Sequence, residues 1–475
     1  MNIKNIIVST VVLLVSFSCS EDFIDLDPLS DQSLGNFFSN GQDVEQAVIG
    51  AYDALQSANQ YGGISGFNHF MEVRSDNSFN SNPNQDGGSR ADFDNFSLDV
   101  ANTWINGTWI SCYDGINRCN TILNRIDAIE MDDNVKANRI GEVKFIRALT
   151  YFNLVRIWGD VPLITMEREN AFDAFEDTRA STSAIYDQII ADLTDAIASL
   201  SLKADTDSGR ATRGAAQALL GKVHLTLQDW SAAVSALESV VNSPTNYDLE
   251  ANFADLFDQS NEFGVESIFE VNFLSGTNGE GLQLQGSPAE RNNKPSVNYI
   301  DYTNAYLIGN PNDVRPGVSI NIISGTDALT GKLAGIDDVG SDGTYDSNII
   351  VIRYADVLLM LAEALNEIGY QASGDAFTYL NQVRSRAGAS TLTFTDLPDQ
   401  TAFRDWIAEE RRLELAFENH RWFDLIRTGK ALEVMNSAAN AGSFAFTVEA
   451  HQLLYPIPQA QIDASGGALT PNPGY

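Results

Sequence analysis

The chain is poor in the residues that build several kinds of site. It has three cysteines among 475 residues, so no disulfide scaffold carries its stability and a packed core must. Cys19 has a separate role, taken up below. Cys112 and Cys119 lie on one helical pattern, about 10 Å apart along the axis, too far to bridge. Both read as small buried hydrophobes. His69, His224, His420 and His451 are scattered and make no metal-binding H-E-x-x-H pair. No G-x-S-x-G, Walker A or G-x-G-x-x-G segment is present. Asp205–Gly209 and Asp337–Gly343 look like fragments of calcium loops, but neither has the glutamate at the twelfth position that such a loop needs. No metal or cofactor is expected. Basic residues are also few, 29 Lys and Arg against 64 Asp and Glu. That balance excludes nucleic-acid binding through phosphate neutralisation and disfavours polyanionic ligands.

The N-terminus is informative. Lys4 precedes an apolar run, Ile6 to Phe17, interrupted only by Ser9, Thr10 and Ser16. The run is too short to span a bilayer and has the length of a signal-peptide core. It ends at Ser18-Cys19, a small residue before a cysteine, followed by acidic Glu21 and Asp22. Residues 1–18 therefore read as a signal peptide, Cys19 as the lipidated first residue of the mature protein, and residues 19–40 as anchor and tether. Such a chain is held on a membrane by its lipid and does not cross it.

Residues 41–475 read as a single body. Helical periodicity runs over 43–57, 103–126, 136–158, 183–199, 213–227, 230–242, 353–368, 373–386, 402–419 and 421–436. Ala218, Gly221, Leu225, Trp230, Ala233 and Leu237 show the small/large alternation of a tetratricopeptide-type helix hairpin. The fold expected is all-α: tetratricopeptide-like hairpins stacked in a superhelical scaffold, with a loop-rich portion and a few short strands. Two blocks break the helical pattern, 59–104 and 245–350, both rich in Gly, Asn and Asp. Long ordered loops are usually functional. Ile268–Phe273 and Val318–Ile323 are the expected strands of the second block.

Several segments together resemble the SusD/RagB family. They are Gly141-Glu142-Val143-Lys144-Phe145-Ile146-Arg147-Ala148-Leu149-Thr150-Tyr151-Phe152 with Trp158-Gly159-Asp160-Val161-Pro162-Leu163, then Arg353 to Asn366, then Glu410 to Glu418 with His420 to Leu425. Pro456-Ile457-Pro458, Asn472-Pro473-Gly474-Tyr475 and the Cys19–Pro28 tether are also similar, and the blocks keep the family order. The resemblance implies an outer-membrane lipoprotein of Bacteroidota, exposed on the cell surface. It implies a partner, a TonB-dependent (SusC-like) transporter, to which such proteins pass oligosaccharides or other nutrients. It implies a binder with no catalytic residues. A peptide or glycopeptide ligand within the same family, a glycoside hydrolase or lyase, and a protein-interaction scaffold of tetratricopeptide type are the alternatives.

Glu142, Arg147, Arg353, Asp356, Glu363, Glu410, Arg411 and Glu414 are spaced on helices so that ion pairs form. Glu410 and Glu414 resemble the paired carboxylates of a glycosidase, but the arginines interleaved with them make pairing the simpler reading. Trp109, Trp158, Trp230, Trp406 and Trp422 sit in regular helical patterns and read as core. Trp104 ends the first irregular block. A sugar offers a flat C–H face to an aromatic and a rim of hydroxyls to Asn, Asp and Arg. On that chemistry the candidate ligand residues are Tyr61, Phe67, Arg74, Asp76, Asn77, Phe79 and Trp104, with Tyr299 and Tyr302 from the second block. Phe70, Asn80, Asn82, Phe96, Tyr306 and Arg315 offer the same groups.

Overall fold

Polar caps open most helices. Asn40 accepts from the Gln42 and Asp43 amides and starts α1 (Gly41–Asp53), with Asp43 reaching back to close a capping box. Asn102, Asp132, Ser181, Thr212 and Asp229 cap α2 (Thr103–Arg125), α3 (Asp133–Trp158), α4 (Thr182–Ser199), α5 (Arg213–Thr226) and α6 (Trp230–Val241). The structure is a computed structural model that describes residues 37–63, 66–168, 177–243, 247–276, 280–283, 293–324, 327–333, 344–437 and 447–475. Cys19 and the expected signal and tether lie outside them, apart from the tether's last residues, 37–40.

Successive helices pack on one another: α1 on α2, α2 on α3, α3 on α4, α4 on α5 and α5 on α6. From Gly141 onward α3 is buried on nearly every face, as a helix at the centre of a stack must be. Glycines set the approach. A Cβ at Gly221 would lie 2.5 Å from Leu237, and one at Gly141 would lie 2.5 Å from Ser199 Oγ. This is the small-into-large packing that the hairpin pattern implies. α8 (Tyr354–Ile368) continues the stack against α6 and carries α9 (Asp375–Arg386) and α10 (Gln400–Glu414). Cys112 and Cys119 are free and buried in α2. Among the described residues no helix is long and apolar enough to cross a membrane.

Among the described residues three two-stranded antiparallel ribbons decorate the stack: β1 (Ser78–Asn80) with β3 (Asn293–Pro295), β2 (Ser267–Val271) with β6 (Ile349–Arg353), and β4 (Ile320–Ser324) with β5 (Asp327–Thr330). The first ribbon ties the two irregular blocks together. Three features differ from the sequence reading. The second block contains a helix, α7 (Val297–Gly309), capped by Ser296. The helix expected to reach residue 419 stops at Glu414, because Phe417 and Asn419 adopt left-handed φ of 65° and 66°. The helix expected over 421–436 breaks at Gly429 (φ 70°), leaving α11 (Arg421–Arg427) and a separate turn at Ala431–Met435.

The expected ion pairs form, and most are buried. Arg147 makes a two-pronged contact with Asp192 at 2.8 and 2.7 Å. Arg411 bridges Asp356 (2.7 Å) and Asp424 (2.9 Å), and Arg427 joins Glu363 to Asp424. Glu414 receives Arg353 (2.6 Å), Arg315 (3.1 Å) and Arg386. Glu410 receives Arg315 and Arg384. Glu410 and Glu414 are thus the acceptors of an arginine cluster, not an acid/base pair in a cleft.

Candidate ligand-binding cleft

Between the irregular blocks and the segment after α10 lies a cleft of about 860 Å³, counting its open mouth. One wall comes from residues 60–63 and Asn68. The chain there is wound tightly: a Cβ at Gly62 would stand 1.7 Å from the Gln56 carbonyl oxygen, and one at Gly66 would stand 2.0 Å from that of Gln60. Only glycine permits these approaches. Tyr61 contributes its ring to the wall, edge-on to Phe67 at 4.9 Å. Its hydroxyl accepts from Asn153 Nδ2 (2.9 Å), and Asn153 is held in turn by Arg156 (2.6 Å). Burial pushes the Tyr61 hydroxyl up to about 12.

The second wall is the left-handed stretch Phe417–Asn419. Glu72 anchors it by accepting from the Phe417 N–H (3.0 Å), and Phe417 packs edge-on to Tyr299. Burial pushes Glu72 up to about 7, against the Asn77 amide and the Phe417 N–H. Asn68 donates to Asn419 Oδ1 (3.0 Å) and accepts from Asn293 Nδ2 (2.8 Å), so a chain of amides crosses the site. Glu418 is fixed by Arg353 and Lys332.

Leu256, Phe257, Leu282, Ile349 and Ile350 supply the apolar remainder, and Gln259, Glu262, Glu270 and Asn348 the polar part. Asn348 donates its backbone N–H to Glu262 (2.8 Å) and its side-chain amide to Glu270 (2.9 Å). Burial pushes Glu262 up to about 7, with Glu270 and Asp346 adding to the rise. Lys332 sits over the Phe253 and Phe257 rings. Burial pulls its ammonium down to about 8 against the pull of Glu418.

Two amide atoms in the cleft lack a partner among the described residues: Gln60 Oε1 and Gln259 Nε2. Gln60 is only 1% exposed. Its Nε2 donates to the carbonyls of Ala54 and Ser111, both at 3.0 Å. Those carbonyls fix the amide orientation and leave Oε1 as a free acceptor. A buried polar atom without a partner is costly. Among the described residues no group of acidic, histidine and cysteine side chains is arranged to hold a metal.

Of the residues picked from sequence, Tyr61 lines the cleft. The others lie outside the lining of this cleft. Phe67, Arg74, Asp76, Asn77 and Tyr299 are buried. Arg74 lies between the Phe96 and Tyr455 rings and donates to the Phe93 and Gln452 carbonyls. Asp76 pairs with Arg421 and Arg412, each at 2.8 Å, and Asn77 binds Glu72 and Arg412. Phe70 packs on Phe93 and Tyr455, Tyr306 donates to Asp313, and Arg315 belongs to the arginine cluster. Tyr302 is half-buried under Arg412. Phe79 is half-buried on β1, paired with Lys294, while Asn80 is buried and Asn82 exposed. Trp104 is half-buried: Arg90 lies 4.6 Å over its ring and its Nε1 donates to Ser89 Oγ at 3.2 Å. Leu256, Phe257, Gln259, Phe417 and Asn419 were not singled out from sequence. Phe417 lies inside a family-like segment and Asn419 adjoins it, and their left-handed backbone is invisible in composition.

Two family models match the chain, the SusD family over residues 334–475 and "starch-binding associating with outer membrane" over 22–225. SusD-like protein P25 of Formosa agariphila is 32% identical, with 92% of each chain covered. SusD-like protein P2 of the same organism is 27% identical, with 98% of each covered. Among solved structures, a laminarin-binding SusD-like protein superposes with a TM-score of 0.76 at 29% identity, covering 92% of this chain and 100% of that one. Surface glycan-binding protein A of Bacteroides thetaiotaomicron, in complex with laminarihexaose, is similar in fold, with a TM-score of 0.75 at 24% identity over 91% of this chain and 100% of that one.

Proposed function

Because the chain belongs to the SusD/RagB family, we propose that it is a cell-surface glycan-binding lipoprotein that captures an oligo- or polysaccharide and delivers it to a TonB-dependent outer-membrane transporter. The observation that carries this reading is the cleft: aromatic and aliphatic walls beside unpartnered amide atoms on Gln60 and Gln259. Apolar walls take the C–H faces of sugar rings, and amides take the hydroxyls. The ligands of two similar proteins, laminarin and laminarihexaose, support the ligand class. We place the signal peptide at 1–18, lipidation at Cys19 and the tether at 19–40, carrying a single body at 41–475. No catalytic role is assigned.

The test is calorimetry of the soluble protein lacking residues 1–19 against a panel of polysaccharides. The expected result is binding of at least one polysaccharide, abolished by Leu256→Trp, which fills the cleft. Binding unaffected by that substitution rules out the cleft. The amide chain Asn293–Asn68–Asn419 also suits a peptide backbone, so peptides and glycopeptides form a second arm of the panel. Reducing ends released during incubation would overturn the binder reading. Recovery of a transporter with the palmitate-labelled protein tests anchor and partner together.

A further inference from the structure

The charges around the cleft are unevenly neutralised. Lys332 is the cation lining it among the described residues, and it is already engaged. It donates to the Glu414 carbonyl (2.7 Å) and to Glu418 (2.5 Å). Glu418 is further held by Arg353 at 2.7 and 2.9 Å. Glu270 has both oxygens occupied, one by the Phe263 N–H and one by the Asn348 amide. Glu262 differs: its Oε1 accepts from the Asn348 N–H, and no ion pair to it forms among the described residues. Asp258, nearby in the lining, is held by Ser260 and also has no cation. Above the raised value of Glu262, as at pH 8, a ligand carboxylate or sulfate entering here meets unneutralised carboxylates and, among the described residues, finds no free ammonium or guanidinium in the lining. A neutral hydroxyl, in contrast, meets no such repulsion beside the unpartnered amide atoms of Gln60 and Gln259. Like charges held close in a partly dry site repel far more than in bulk water, and an interface rejects wrong partners through such contacts.

We propose that the cleft selects uncharged saccharide and rejects uronate- or sulfate-bearing chains, with Glu262 as the discriminating residue. This rests on the glycan-binding reading above and adds the charge class of the ligand.

The experiment takes the tightest-binding neutral polysaccharide from the panel and compares it with its own 6-carboxylate derivative and with the methyl ester of that derivative. The ester restores neutrality while keeping the altered carbon. The expected result is at least tenfold weaker binding of the carboxylate, recovery with the ester, and at least a threefold narrowing of the carboxylate-to-neutral ratio in Glu262→Gln. Equal affinity for the neutral and carboxylate chains overturns the proposal while leaving the glycan reading intact, provided Leu256→Trp still blocks both. So does a ratio unchanged in Glu262→Gln. If that variant fails to fold, the ester comparison decides alone. If no saccharide of either kind binds, the glycan reading fails and this inference fails with it.

Discussion

Replacing Glu414 by glutamine keeps the shape of the side chain and removes one charge from the arginine cluster. In the wild type its carboxylate is fully buried and receives Arg353, Arg315 and Arg386. Breaking a buried ion pair from one side typically costs about 3–5 kcal/mol, because a cation is left uncompensated. Here no cation is left entirely alone. Arg315 keeps Asp313 and Glu410, Arg353 keeps Glu266 and Glu418, and Arg386 keeps Glu266. The loss should therefore fall near the lower end, about 3 kcal/mol, a large share of the ordinary 5–15 kcal/mol of a folded protein. Urea unfolding of the soluble protein reads it as a drop in midpoint at constant slope. Glu433→Gln is the control: its pair with Lys430 is exposed and should change stability by less than about 0.5 kcal/mol. The pH dependence gives a second reading. Burial alone would raise the Glu414 carboxyl, but Arg386, Arg353 and Arg315 hold it well below the usual carboxylate range. A depressed folded-state value means the contribution is whole above about pH 4.5 and is lost as the pH falls. The gap between wild type and variant should narrow below pH 4. A loss under about 1 kcal/mol, or a gap that is constant from pH 6 to pH 3, would refute the account of the cluster.

Gly62→Ala forces a Cβ against the Gln56 carbonyl, should cost about 1–3 kcal/mol as an overpacked site does, and should abolish glycan binding by displacing Gln60 and Tyr61; calorimetry and urea unfolding measure both. Glu262 carries a raised value, about 7, so its charged form is disfavoured in the fold, and its penalty grows as pH rises from about 4.5 to 7. Glu262→Gln should then be more stable than wild type at pH 8 and indistinguishable from it near pH 4.5, as followed by thermal unfolding. Trp104→Ala removes a half-buried ring packed under Arg90 and should cost about 2 kcal/mol of stability with little change in cleft affinity; an affinity loss of about 1–3 kcal/mol at intact stability would instead make Trp104 a stacking platform for the ligand.

The scaffold was legible because its signals are local. Apolar periodicity and polar caps sit in adjacent residues, so the helices over 103–125, 133–158, 213–226 and 230–241 lie close to where the pattern puts them. α7 was missed because Val297, Tyr299, Ile300, Tyr302 and Thr303 are β-branched or aromatic and mediocre helix formers, and Gly- and Asn-rich segments flank them. The overrun past Glu414 has a similar cause: Leu415, Ala416 and Phe417 continue an apolar rhythm, while the left-handed turn there is imposed by Glu72 from a distant part of the chain. The candidate site was legible as two regions and as a type of chemistry. Its individual residues were less so, since exposure decides which aromatic meets a ligand. Arg74, Asp76 and Asn77 have the right groups for a sugar, yet Phe93, Arg421 and Glu72 use them inside.

The cleft is assembled from residues hundreds of positions apart: Phe417 on Glu72, Arg421 on Asp76, Gln283 on Gly62. Contacts of such separation close late and slowly when a chain folds. Neither the N-terminal nor the C-terminal part alone contains a cleft to occupy. Possession of the cleft therefore works as an inspection of the finished molecule: a nascent, truncated or half-folded copy displays helices but no cleft, and only a chain that has joined its early residues to its late ones presents one.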